Sequence, residues 1–150
     1  ELGLQVKGIR GLVCINPPLV LHDWRSNWAR LAKVFRNYIP KTISDDYREL
    51  QDRGRFAYDC IPLKAFLSMQ ALVKDVIKQL DKIDVPVLAV QAGRDEMVDA
   101  RSYKILAQRL PAGRLRSLYL ERSAHVATMG EELEQLGTAI TDFISGLPGD

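Results

Sequence analysis

Two short turns hold the side chains of this chain that could do acid–base chemistry. One is Ala92-Gly-Arg-Asp95-Glu-Met-Val98 and the other is Arg122-Ser-Ala-His125-Val126. A carboxylate that meets one ring nitrogen of an imidazole fixes its tautomer and stabilises the imidazolium. The other nitrogen is then left to act as a general base. Taken alone, His125 reads as a surface loop histidine and Asp95 as an ordinary turn residue after Gly93. What favours a catalytic pair is their placement. Each follows an apolar run, and one helix-plus-strand unit separates them. Of the competing acids, Asp99 is better explained as a helix N-cap, and Glu96 lies one residue further from the strand end.

The elements that must position these turns are legible as apolar runs. Gly11-Leu-Val-Cys-Ile15 is stopped by Asn16-Pro17-Pro18, because proline cannot donate a ladder hydrogen bond. Val87 to Gln91 and Leu115 to Glu121 are the second and third strands. The continuous apolarity of Gly11 to Ile15 suits a parallel strand covered on both faces, and Val87 to Gln91 reads as a buried strand. A helix from Asp99 to Leu110 and another from Glu131 to Ile144 alternate with them. The second of these carries Leu133, Leu136, Ile140, Phe143 and Ile144 on one face, and its first-turn acids Glu131 and Glu132 suit the helix dipole. The fold class is therefore α/β, with about three parallel strands. Ligands of such sheets bind outside the carboxyl ends of the strands, which is where both turns lie.

Between the first and second strands the chain makes an excursion of roughly seventy residues, far beyond an ordinary crossover. The expectation is a sheet portion of residues 1–20 and 80–150 with a helical cap insertion over 21–79. Trp24, Trp28, Leu31, Phe35 and Tyr38 recur at helical spacing, with Asp23 as N-cap. Pro62 fits a first helical position, and the helix after it runs from Leu63 to Leu80. Trp24 and Trp28 are either helix-packing residues or the lining of a substrate pocket. Met97 and Val98, directly after the acid, are candidates for the pocket wall, with core packing as the alternative.

Several function classes are excluded. With 47% hydrophobic and 27% charged residues the chain is neither disordered nor a disulfide-dense scaffold. A net charge of +2, with acids and bases intermixed, gives no nucleic-acid footprint. No apolar run is long enough to span a bilayer. Gly8-Ile-Arg-Gly11 precedes a strand instead of following one, so it is not a phosphate loop. His22 and His125 lack the spacing of a metal site. Two cysteines, Cys14 and Cys60, favour a reducing, cytoplasmic setting.

At Ile83-Asp-Val-Pro-Val-Leu-Ala-Val-Gln-Ala-Gly-Arg-Asp-Glu-Met-Val98, Leu118-Tyr-Leu-Glu-Arg-Ser-Ala-His-Val126 and the closing Phe143-Ile-Ser, the chain resembles the C-terminal portion of an α/β-hydrolase. More closely it is similar to small bacterial carboxylesterases related to monoacylglycerol lipases. The resemblance implies Asp95 as the triad acid and His125 as the base, acting on a small-molecule ester with neither cofactor nor metal. Ala124 stands where the family has glycine, a mild departure.

The large departure is the nucleophile, which the family carries in Gly-x-Ser-x-Gly on a strand-to-helix elbow. None of Ser26, Ser44, Ser68, Ser102, Ser117, Ser123 and Ser145 has that setting. Cys14, inside an apolar strand, is a packing residue and not a substitute. The elbow is expected upstream of Glu1, and the 150 residues alone are expected to be inactive. The first strand's open edge is expected to pair with the missing N-terminal half or with a second copy. Two other readings stand beside the esterase: a non-catalytic α/β partner-binding module, and another capped hydrolase such as a dehalogenase or lactonase.

Overall fold

The computed structural model describes residues 8–22, 37–40, 48, 51–52, 54, 58 and 60–148. The chain divides into two units, Glu1–Asp23 with Val73–Asp150, and Trp24–Leu72.

In the first unit, β1 (Leu12–Ile15), β4 (Val87–Ala92) and β5 (Leu115–Leu120) form one parallel sheet in the order β1-β4-β5. Leu12 lies beside Val87, and Val87 beside Leu115, so the three carboxyl ends emerge at one rim. All six residues of β4 are buried. Alternation along the strand sends Leu88 and Val90 to one face, where they meet Leu136 and Phe143 of α3 (Leu133–Ser145). Val87 and Ala89 go to the other face. There they meet Leu106 of α2 (Arg101–Arg109) and Leu80 of a 3-10 turn at Leu80–Lys82. A strand with packing on both faces has little use for polar side chains, which is why Val87 to Val90 are all apolar, with buried Gln91 the one exception in the strand.

The second unit holds an antiparallel pair, β2 (Tyr38–Pro40) with β3 (Cys60–Pro62). Here two expectations are corrected. Tyr38 is not the end of a helical stripe: it opens β2 and is exposed. Pro62 closes β3 instead of starting the helix, and α1 begins one residue later (Leu63–Ile77), with the Leu63 N–H bonded to Asn37 O at 2.9 Å. A two-stranded ribbon has only edge strands, and these tolerate prolines that lack a donor. Trp24, Trp28 and the helix expected around them lie outside the described residues. A third correction concerns α3: Leu133 and Ile144 are exposed, so only Leu136 and Phe143 are fully buried and the inward stripe is narrower than the sequence indicates. No described helix is long and apolar enough to cross a membrane.

Two glycines test this packing in opposite directions. A Cβ on Gly93 would stand 2.8 Å from the main-chain oxygen of Glu121 and 2.7 Å from the Tyr119 hydroxyl. The tyrosine can swing aside, but the backbone of the neighbouring strand exit cannot. Gly93→Ala should lower stability by about 1–3 kcal/mol. Gly137, within α3, has nothing within 4 Å of its Cβ position. Gly137→Ala should raise stability by about 0.5–1 kcal/mol, because alanine loses less backbone entropy in a helix. Urea unfolding midpoints of the two variants check both signs.

Candidate active site

Where β4 and β5 leave the sheet they stay joined for two more residues. Gly93 N–H donates to Leu120 O at 2.7 Å, and Arg94 N–H to Ser123 O at 3.0 Å. The chain then folds back on itself through Asp95, whose Oδ1 accepts the N–H groups of Met97 and Val98, both at 2.8 Å. Aspartate is suited to this self-bonded turn. The other oxygen, Oδ2, stands 2.9 Å from His125 Nδ1. Burial of Asp95 pushes its carboxyl pKa up. The hydrogen bond with His125, those from Val98 and Met97, and the attraction of the imidazole outweigh it and hold the carboxyl below its ordinary value. An ionised carboxylate can only accept, so Nδ1 is the donor in this contact, and the neutral tautomer compatible with it carries its lone pair on Nε2. The His125 side chain is 33% exposed, open enough to meet a reactant.

The loop carrying His125 is held from two directions. On the α3 side, buried Glu132 accepts through Oε2 the Ser123 hydroxyl at 2.7 Å and the Arg122 N–H at 3.0 Å. The Ser123 hydroxyl, against the opposing effect of burial, and the Arg122 N–H lower the Glu132 pKa. On the β1 side, Asn16 Nδ2 donates to the His125 main-chain oxygen at 2.8 Å, while its Oδ1 accepts the Ala92 N–H at 2.7 Å. Neither residue is legible as a site residue in the sequence: Asn16 reads as a strand stop whose partners lie 76 and 109 residues away, and Glu132 reads as a helix-dipole acid.

The remaining expected residues separate clearly. Val98 is wholly buried, and it bridges antiparallel to Leu21 in the segment leaving β1; Met97 is partly exposed. Ser102, also wholly buried, ties that segment down: its hydroxyl accepts the Val20 N–H at 2.9 Å and donates to Val20 O at 3.2 Å. Asp99 does not reach His125. Its Oδ1 accepts the Arg101 N–H at 2.8 Å, which caps α2 from two residues ahead of its first turn. Its carboxyl lies at about 2, held there chiefly by Arg101. Glu96 is exposed. The hydroxyls of Ser102 and Ser123 are both engaged in holding loops, and burial pushes the Cys14 thiol pKa up, so none of the three is set up as a nucleophile. Among the described residues no group of three or more His, Cys, Asp or Glu could hold a metal ion.

The chain as a whole is similar to several known proteins. The chain is 25% identical over 153 residues to a carboxylesterase of Bacillus subtilis (strain 168), a match covering 98% of this chain and 58% of the relative. Solved structures of similar shape include one from work on the metagenome-derived lipolytic enzymes LipS and LipT, with TM-score 0.79 and 19% identity over 96% of this chain and 58% of that one. A monoacylglycerol lipase of Paleococcus ferrophilus matches with TM-score 0.74 and 16% identity over 94% and 60% of the two chains. A soluble variant of the Saccharomyces cerevisiae monoglyceride lipase matches with TM-score 0.69 and 15% identity over 95% and 55%. No family model matches the chain. The parallel sheet and its helices have the fold of the C-terminal part of an α/β-hydrolase, and the chain spans 58% of the length of the curated relative it matches.

Asp95 has a folded pKa below the ordinary value of about 3.9, so its contribution is complete above that value and is lost as pH falls through the folded one. Asp95→Asn should therefore flatten the acid limb of stability below about pH 4, read from urea midpoints at a series of pH values. Glu132→Gln keeps an acceptor for Ser123 and Arg122, whereas Glu132→Ala strands both donors. The alanine variant should melt clearly below the glutamine variant in a thermal scan.

Proposed function

We propose that the complete protein is a carboxylic-ester hydrolase of the serine type, with Asp95 as the orienting acid and His125 as the general base. The observation that carries this reading is the 2.9 Å contact between the two side chains at the carboxyl ends of adjacent parallel strands. The likeness to a carboxylesterase and to lipolytic enzymes supports it. In this reading a serine hydroxyl attacks the ester carbonyl while Nε2 of His125 takes its proton. The imidazolium, stabilised by Asp95, then passes that proton to the departing alcohol. Water repeats the sequence on the acyl-enzyme, with His125 again as the base.

The attacking serine is assigned to a segment outside these 150 residues, which contain no Gly-x-Ser-x-Gly. Magnitudes support that division. General acid–base catalysis supplies about 10²–10⁴-fold, and each oxyanion donor about 10²–10³-fold. An aspartate–histidine pair with nothing to deprotonate therefore falls far short of the 10⁶-fold or more that enzymes typically reach.

The test uses the full chain with a p-nitrophenyl ester and a fluorophosphonate probe. The expected result is turnover together with covalent labelling at a serine. His125→Ala should lower kcat by roughly 10⁴-fold or more and Asp95→Asn by roughly 10⁴-fold, while the 150 residues alone give neither turnover nor label. A full chain that neither turns over nor labels refutes the reading. Full activity in His125→Ala would move the base elsewhere.

A further inference from the structure

The Asp95–His125 contact joins two turns that follow neighbouring strands, and one further side chain links the end of the acid-bearing strand to the base loop. Asn16 is 2% exposed and directly follows β1. Its carboxamide uses opposite ends of one rigid plane: Oδ1 takes the Ala92 N–H at the end of the acid-bearing strand, and Nδ2 binds the main-chain oxygen of His125 itself. Its backbone is uncommon too. Asn16 has φ 46, the one left-handed non-glycine among the described residues. Asparagine tolerates this region better than most residues, but a left-handed residue persists only where its surroundings fix it. A residue that merely stopped the strand would need neither the buried amide nor the left-handed turn, because Pro17 already ends the ladder.

We propose that Asn16 is a positioning residue for the acid–base pair: its carboxamide sets the span between the strand end that leads to Asp95 and the loop that carries His125. The assignment rests on the esterase reading for its catalytic consequence but not for its geometry. Chemistry makes the residue type specific. Aspartate would keep the acceptor for Ala92 N–H but would set an oxygen against the His125 carbonyl oxygen. That repulsion pushes the base loop away from the acid. A displacement of the order of 1 Å at a reacting group costs about 10²-fold in rate.

The experiment compares wild type, Asn16→Asp and Asn16→Gly in the full chain. Glycine removes the amide while still permitting the left-handed backbone. Two readouts are taken: the imidazole ¹⁵N signature of His125, assigned with His125→Ala, and the kinetics of p-nitrophenyl ester hydrolysis. In wild type the signature should report a proton on Nδ1 bonded to Asp95. Both variants should lose or blur it, with kcat down roughly 10–100-fold and KM within about twofold. An unchanged signature and unchanged kcat in both variants overturns the proposal and leaves the esterase reading intact. Failure of both variants to fold also overturns it, since Asn16 would then serve the fold instead of the pair. If wild type shows no ester turnover but a signature that both variants erase, the esterase reading falls and the positioning role stands.

Discussion

Asp95 has two carboxylate oxygens and three partners, and the division between them governs the rim of the sheet. Oδ1 is committed to the N–H groups of Met97 and Val98, within its own turn. That fixes where Oδ2 points before any imidazole arrives. The side chain is 1% exposed, and a buried carboxylate without compensation costs several kcal/mol. An N–H donor must therefore sit at Oδ2, and His125 Nδ1 meets that need. The carboxylate organises its own loop first and the base second.

The base reaches that position because the strands deliver it there. Parallel pairing of β4 with β5 in register brings Ala92 level with Leu120, and the hydrogen bonds of Gly93 and Arg94 carry the pairing beyond the sheet. Had β4 slipped by one residue, its alternate side chains would exchange faces, and Leu88 and Val90 would leave the α3 side of the core. Register is therefore held by apolar burial along the whole strand, while the last few ångströms are held by individual polar groups: Glu132 from the helix side and Asn16 from the neighbouring strand end. The clamp is polar because a loop beyond the sheet has main-chain donors and acceptors that lost their ladder partners and had to find side-chain ones.

The sheet, the two α/β crossovers and the Asp95–His125 contact were readable because each leaves a local trace. The apolar run Val87 to Val90 marks β4, and an acid or imidazole in the turn beyond a run marks the strand's carboxyl end. Asn16 left no such trace. Asparagine before proline reads as a stop, and its partners lie 76 and 109 residues away. Glu132 is hidden for a different reason: a glutamate near a helix start already has a sufficient local explanation, which masks its bond to Ser123. Tyr38 shows the reverse error: helical spacing with the tryptophans is a pattern that a short paired strand breaks through long-range pairing with Pro62.

The contrast between β1 and β4 carries the reasoning one step further. β1 is wholly apolar and β4 carries one polar residue, Gln91, yet β4 is buried throughout while Val13 of β1 remains 38% exposed. Val13 lies level with Leu88, so the difference is not depth along the sheet but the number of flanking strands. Among the described residues β1 is an edge, with the composition of an interior strand. Edge strands are normally blunted by charge, proline or a bulge, because their open row of N–H and C=O groups invites pairing. Leu12–Ile15 carries none of these, and a strand placed beside it would stand next to Asn16, across β1 from the acid and base turns. In the proposed esterase, the segment bearing the serine must reach that same rim. The open main-chain groups and apolar side chains of β1 thus mark the side of the described sheet at which a further strand would pair.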